Sequence, residues 1–354
     1  MVDQRIEKIA DILIDYSVKV KEGDYVVIEG EYACIELIKV LYKKILKRGA
    51  FPIPRIGDDQ FLSMYYKYAS DKILNTFPEI TYNEVKKIDC LIILRAPKNL
   101  KEMANTDPNK ITNRTKLLEP IKIERLKKRW VLFDFPTPSF AQEAGMSLEE
   151  FEDFVYNACI QDWKKVEKEQ EKYVNLMNSG SEVRIVGKDT DIKLKIKGRK
   201  FIKGCGTHNM PDGEIFTAPL ENETEGYIYF DYPVVYSGKE VSGVRFKFEK
   251  GKIVDVKAEK GEDFIKQVIK TDEGASKLGE LGIGLNYNIK RGIKNILFDE
   301  KIGGSIHTAI GSAYKECGGV NESAVHWDFI KDMKDGKMFL DGKLIYENGK
   351  FVNI

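Results

Sequence analysis

Three short, nearly uninterrupted apolar runs constrain the fold of this 354-residue chain more than any other feature. They are Tyr25-Val26-Val27-Ile28-Glu29-Gly30, Asp89-Cys90-Leu91-Ile92-Ile93-Leu94-Arg95 and Trp130-Val131-Leu132-Phe133-Asp134-Phe135. Strands without polar alternation have no face to offer water, so the sheet they form must be covered on both sides, as parallel sheets are. Amphipathic helices supply the cover. Ile6, Ile9, Ala10, Leu13 and Ile14 form one stripe along 3–17, and a second helix from Cys34 to Arg48 is stopped by Gly49. Phe51-Pro52-Ile53-Pro54-Arg55-Ile56 reads as a further strand whose prolines suit a sheet edge. Residues 1–180 therefore read as an α/β domain with a mostly parallel sheet, ending in a long charged helix over Leu148–Met177.

The texture changes after Asn178-Ser179-Gly180-Ser181. Glu182–Val186 and Asp191–Ile196 alternate polar with apolar residues, as half-buried strands do. Lys250-Gly251 joins two further alternating runs, and Asp341-Gly342 and Asn348-Gly349 repeat the signature of tight type I′ hairpins. Residues 181–354 thus read as an α+β, strand-rich domain, with helices expected near Glu262–Leu278 and Ser305–Tyr314.

A net charge of +1 provides no field to steer the chain toward nucleic acid or an anionic membrane, and no stretch of 18 apolar residues occurs. The N-terminus alternates charged with apolar residues, unlike a signal peptide. Five scattered cysteines, odd in number and without a CxxC pair, fit a reducing, cytoplasmic setting. Abundant lysine and glutamate lean toward a thermophilic source. No GxGxxG follows the first strand and no GxxxxGK[ST] occurs, so nucleotide binding has no motif here.

The three histidines, His208, His307 and His326, all fall in the second half of the chain. His326 and Asp328 are two apart, and on a strand they point to one side. His307 and Tyr314 are seven apart, which on a helix is one face, two turns apart. Glu214 follows the turn Pro211-Asp212-Gly213, and Glu280 is set among glycine and apolar residues in LGELGIG, where an unpaired acid is out of place. Singly, each has a plain structural explanation: a satisfied core histidine, a hydrogen-bonded His-x-Asp pair, a surface acid. Together, nitrogen and oxygen donors without thiolate suit zinc, cobalt or manganese, and carboxylate-rich sets often hold two ions. Glu300 adds an acid just upstream of His307, while Cys205-x2-His208 reads as coincidence.

The strings HNMPDGEIFTAP (208–219), LGE (278–280), SIHTAIGSAY (305–314) and HWDF (326–329) resemble the aminopeptidase T family of metallopeptidases. The resemblance extends to YSVKVKEGD (16–24), PTP (136–138), AQEAGM (141–146), TDI (190–192) and KGR (197–199), covering nearly the whole chain. It implies a homodimer with two divalent metal ions per chain, removing single amino acids from the free N-terminus of peptides. The implied ligands are Glu214, Glu280, His307, His326 and Asp328, with Asp328 as the bridge. Tyr314 would contact the reacting centre, and Glu214, Glu280 and Glu300 are the candidate general bases. The segment KECGGVNESAV (315–325) is shorter than the family pattern, which bears on substrate choice. Two other readings use the same residues: a metal-dependent dipeptidase or amidase, and a non-catalytic binding protein with a degenerate site.

Overall fold

A computed structural model of the protein describes residues 3–353, so residues 1, 2 and 354 of the two expected domains lie outside the described residues. The chain forms two compact units. One comprises the residues up to Gln161 together with Gly206–Pro211, and the other Asp162–Cys205 together with the residues from Asp212 onward.

The first unit is built on a five-stranded parallel sheet in the order Phe51–Gly57, Tyr25–Glu31, Cys90–Arg95, Arg129–Asp134, Asn209–Met210. The three apolar runs are its central strands, and Val26, Ile28, Cys90, Ile92 and Val131 are fully buried. The proline-bearing strand is at the edge, where its missing N–H groups leave no ladder bond unmade. Among the described residues no helix is long and apolar enough to cross a membrane.

The second unit contains two large antiparallel sheets and a two-stranded one, Val234–Tyr236 with Lys239–Val241. The largest has eight strands, from Lys252–Lys257 at one edge to Lys350–Phe351 at the other. The other large sheet has five, in the order His326–Asp332, Ser305–Gly311, Leu278–Gly284, Glu214–Thr217, Ile202–Gly204. Side chains from both large sheets, among them Val183, Ile192, Phe246, Leu281, Ile306, Ile310 and Phe329, pack into one core. All three expected hairpins form, with positive φ at both turn residues in Lys250-Gly251, Asp341-Gly342 and Asn348-Gly349.

Three expected helices differ from the structure. The charged stretch 148–177 is two helices, Leu148–Cys159 and Trp163–Asn178, because the Asp162 carboxylate caps a new start by accepting from Lys165 N at 3.1 Å. The second of these helices belongs to the second unit. The helix at Glu262 ends at Val268, and Leu278 already begins a strand. Ser305–Gly311 is a strand, not a helix. Its β-branched Ile306, Thr308 and Ile310 share one face, and His307, Ala309 and Gly311 share the other. The small residues of that second face disguise a period of two.

Candidate metal centre

The five-stranded sheet has one face in the core and one that carries the site. Across its ladder, Phe216 pairs with Gly282 and Gly282 with His307, while Glu280 pairs with Ala309 and Ala309 with Asp328. Glu214 lies two residues before Phe216, and His326 two before Asp328, so period-two geometry aims all of these side chains to the same side. Glycine and alanine occupy the middle of this face, leaving space between the polar groups.

A register shift places Glu280. Leu278 pairs with Ile310 on the core side, but Glu280 pairs with Ala309 on the site side, because the ladder bulges at Gly279. Without the extra residue, 278 and 280 would share a face and the carboxylate would enter the hydrophobic core. A Cβ at 279 would lie 2.4 Å from Ser312 O and 2.5 Å from Gly311 O, so only glycine permits the bulge.

The side chains converge closely. Glu280 faces His307 Nε2 with Oε1 at 3.5 Å and His326 Nε2 with Oε2 at 3.3 Å. Glu214 Oε2 is 3.3 Å from His307 Nε2, and Asp328 Oδ2 is 3.6 Å from His326 Nε2. Donor atoms of Glu280, His307 and Asp328 all fall within 4.8 Å of one another, as ligands of one ion would. Glu214, Glu280, His307 and Asp328 are buried, whereas His326 is half-buried and fixed by a 2.8 Å contact from Nδ1 to Ser312 O.

Whether these residues fit a cation is decided by their unmet valences. Glu214 Oε2, both ring nitrogens of His307 and Asp328 Oδ1 are shut off from solvent and have no hydrogen-bond partner. Buried polar atoms are rarely left unpaired, and three of these, Glu214 Oε2, Asp328 Oδ1 and the His307 Nε2 that faces Glu214 and Glu280, are metal-binding in type and fit a cation that completes them. With only its own side chains, the cluster balances its charge through protons. Burial pushes the carboxyls of Glu214 and Asp328 up, to about 8 and about 6. At Glu280 burial is outweighed by the two imidazoles, which hold it at about 2. At His307 burial is outweighed by Glu280 and Glu214, and at His326 by Asp328 and Glu280, so both rings rise to about 10. Those imidazolium protons are what a divalent ion would displace.

Tyr314 follows the His307 strand rather than sharing a helix face with it. Its ring centroid is 5.3 Å from that of His326 and 5.3 Å from that of Phe216, and at 41% exposure it lies on the open side of the cluster. The charge of Glu280 pushes its phenol well above the usual range, keeping it a proton donor. The short segment after it is held firmly: Asn321 Nδ2 donates to Gly311 O and Gly274 O, and Val320 N donates to Glu221. His208 belongs to the first unit, where its ring is 4.8 Å from that of Trp130.

Sequence reasoning missed four residues here. Gly279 and Gly282 make room, Phe216 adds an aromatic edge, and Lys301, fully buried, lies 3.4 Å from Glu214 Oε1 and pairs with Glu300. Only the glycine spacing in LGELGIG signalled any of them.

Fold and site together define a two-unit protein with a buried imidazole–carboxylate centre suited to divalent metal. The chain belongs to the thermophilic metalloprotease family M29, whose model matches residues 2–351. It is 26% identical to aminopeptidase AmpS of Bacillus subtilis over 98% of both chains. It is 24% identical to aminopeptidase T of Thermus thermophilus, over 98% of this chain and 96% of that one. In fold it matches the solved structure of wild-type AmpT from Thermus thermophilus, with a TM-score of 0.86, 24% identity and 99% of each chain covered. The alignment with AmpS runs to 406 positions, more than the 354 residues present here, so that relative has segments this chain lacks.

Proposed function

We propose that this chain is a metal-dependent aminopeptidase that releases N-terminal amino acids from peptides, using two divalent ions held by Glu214, Glu280, His307, His326 and Asp328. The observation that carries the reading is the placement of Glu280, whose two oxygens face different imidazoles. That divides the donors into two half-sites, Glu214 with His307 and Asp328 with His326, sharing Glu280. Asp328, with one oxygen near His326 and a donor atom within 4.8 Å of the His307 and Glu280 donors, is a second shared carboxylate. The naming of relatives as aminopeptidases supports the substrate class.

Bound zinc, cobalt or manganese supplies Lewis acidity, lowering the pKa of a water toward neutrality and polarising a carbonyl. The protein's own groups do the rest. Tyr314 donates a hydrogen bond to the oxygen that gains charge as the carbonyl becomes tetrahedral. Glu280, anchored between two imidazoles, fixes the spacing of the half-sites. A free substrate amine finds its counter-charge among these acids, which restricts cleavage to the terminus. The candidate bases for the water's proton are Glu214, Glu280 and Glu300. The first two are ligands in this reading, so Glu300→Gln decides: full metal content with lost turnover makes Glu300 the base, and unchanged turnover leaves the proton with a ligand carboxylate. The five free, buried cysteines support a reducing, cytoplasmic location.

The test is hydrolysis of an aminoacyl-p-nitroanilide and its N-acetylated form by chelated enzyme, before and after each metal is added back. Metal-restored cleavage of the free amine alone is expected. Equal cleavage of both forms points to an amidase. Silence with folded, metal-loaded protein points to a binding protein.

A further inference from the structure

Two lysines are buried almost completely, Lys301 and Lys331. Lys331 is accounted for by Lys188 O at 3.2 Å and Asp231 at 3.3 Å. Lys301 is different, because its ammonium pairs with Glu300 and stands 3.4 Å from Oε1 of Glu214. The other oxygen of that carboxylate, Oε2, faces His307 Nε2 at 3.3 Å and has no hydrogen-bond partner. Glu214 thus lies between a cation on one side and the metal cluster on the other.

The backbone fixes this arrangement. Lys301 O accepts from Asn286 N at 3.0 Å, and Asn286 Nδ2 donates to Asp212 O at 2.8 Å. Leu285 N donates to Gly213 O at 2.7 Å, in the turn immediately before Glu214. Lysine and carboxylate therefore leave from segments stitched to each other. Burying an ammonium is unfavourable unless its partners need the charge, and an apolar side chain would fill the same space without that penalty.

We propose that Lys301 is a positioning residue for the metal centre: by claiming Glu214 Oε1 it turns Oε2 alone toward the cluster, making Glu214 a one-oxygen ligand aimed at the His307 half-site. This rests on Glu214 being a ligand. Partners that orient metal ligands typically contribute about 10–100-fold to metal affinity, and the same range applies here.

The test is a double-mutant cycle of Lys301→Met and Glu214→Gln, with Lys331→Met as the buried-lysine control. Zinc affinity is read by competition with a chromogenic chelator and zinc per chain by elemental analysis, both on the full chain without substrate. Lys301→Met is expected to weaken one of two zinc sites at least about tenfold, to have no further effect once Glu214 is Gln, and to be unmatched by Lys331→Met. Affinity unchanged in Lys301→Met while Glu214→Gln loses zinc overturns the proposal alone, as does additivity of the two effects. Tighter zinc binding in Lys301→Met also overturns it, since the lysine would then act only as a repelling charge. No zinc loss in Glu214→Gln removes the ligand reading itself. Should Lys301→Met not fold, Lys301→Gln, which keeps a donor without the charge, takes its place in the cycle.

Discussion

Gly282→Ala should empty the metal centre without altering any donor. Gly282 is the ladder partner of His307, and the imidazole lies over its bare Cα. A Cβ built there falls 2.0 Å from both Cε1 and Nε2 of His307 and 2.8 Å from Nδ1. Ordinary contact needs about 3.5 Å, so the ring must retreat by roughly 1.5 Å or the strands must part. His307 is fully buried on a strand paired on both sides, so the ring has little room to retreat. Metal–ligand distances tolerate only about 0.2 Å, and a displacement near 1 Å at a reacting centre can lower rate about 100-fold. Overpacking of this kind usually destabilises by about 1–3 kcal/mol. The variant should therefore remain folded with a lowered Tm, lose zinc by elemental analysis, and cleave a free-amine reporter at least about 100-fold more slowly. Gly57→Ala, whose Cβ would meet nothing within 4 Å, is the control. Full zinc content in Gly282→Ala with turnover near wild type would show that the ring does not bind metal from this position.

Further outcomes follow from the same geometry. Tyr314→Phe should lower kcat by about 10²–10³ with metal content unchanged, and normal turnover would remove the phenol from the mechanism. Gly279→Ala should abolish the bulge that turns Glu280 to the site, and zinc retention would show the register to be less constrained than the contacts at 2.4 and 2.5 Å imply. In chelated protein, the folded pKa of His307 and His326 is raised from 6.5 to about 10, so their stabilisation is complete below pH 6.5 and lost as pH rises through 10. Glu214, raised from 4.5 to about 8, adds a loss in the same direction as it ionises. The Tm of chelated wild type should therefore fall between pH 6.5 and 10 more than that of His326→Gln, as measured by thermal melts. Parallel curves would contradict the charge balance described.

The parts of the fold that were legible in the sequence are those where one side-chain pattern decides. Uninterrupted runs such as 90–94 require a doubly covered sheet, and Asn348-Gly349 requires a tight turn. His326 and Asp328 were readable as a pair because two residues on a strand share a face. His307 was readable as a candidate but not as a strand residue, since Ala309, Gly311, Ser312 and Ala313 give as good a helical pattern as an extended one. Neighbouring strands on both sides then settle what local preference leaves open. Glu280 stood out because an acid among glycines has no local partner, yet the bulge that aims it depends on the backbone of Gly311 and Ser312. Lys301 was invisible for the opposite reason. Beside Glu300 it looks like an ordinary surface pair, and only the turn before Glu214 makes it part of the site.

The most direct test of the two-ion centre is anomalous diffraction from cobalt-loaded crystals. Two peaks per chain are expected about 3.5–4 Å apart, one on each side of the Glu280 carboxylate, with His307 and His326 on different ions. A single peak bound by both imidazoles, or none within reach of Glu280, would contradict the two-ion centre.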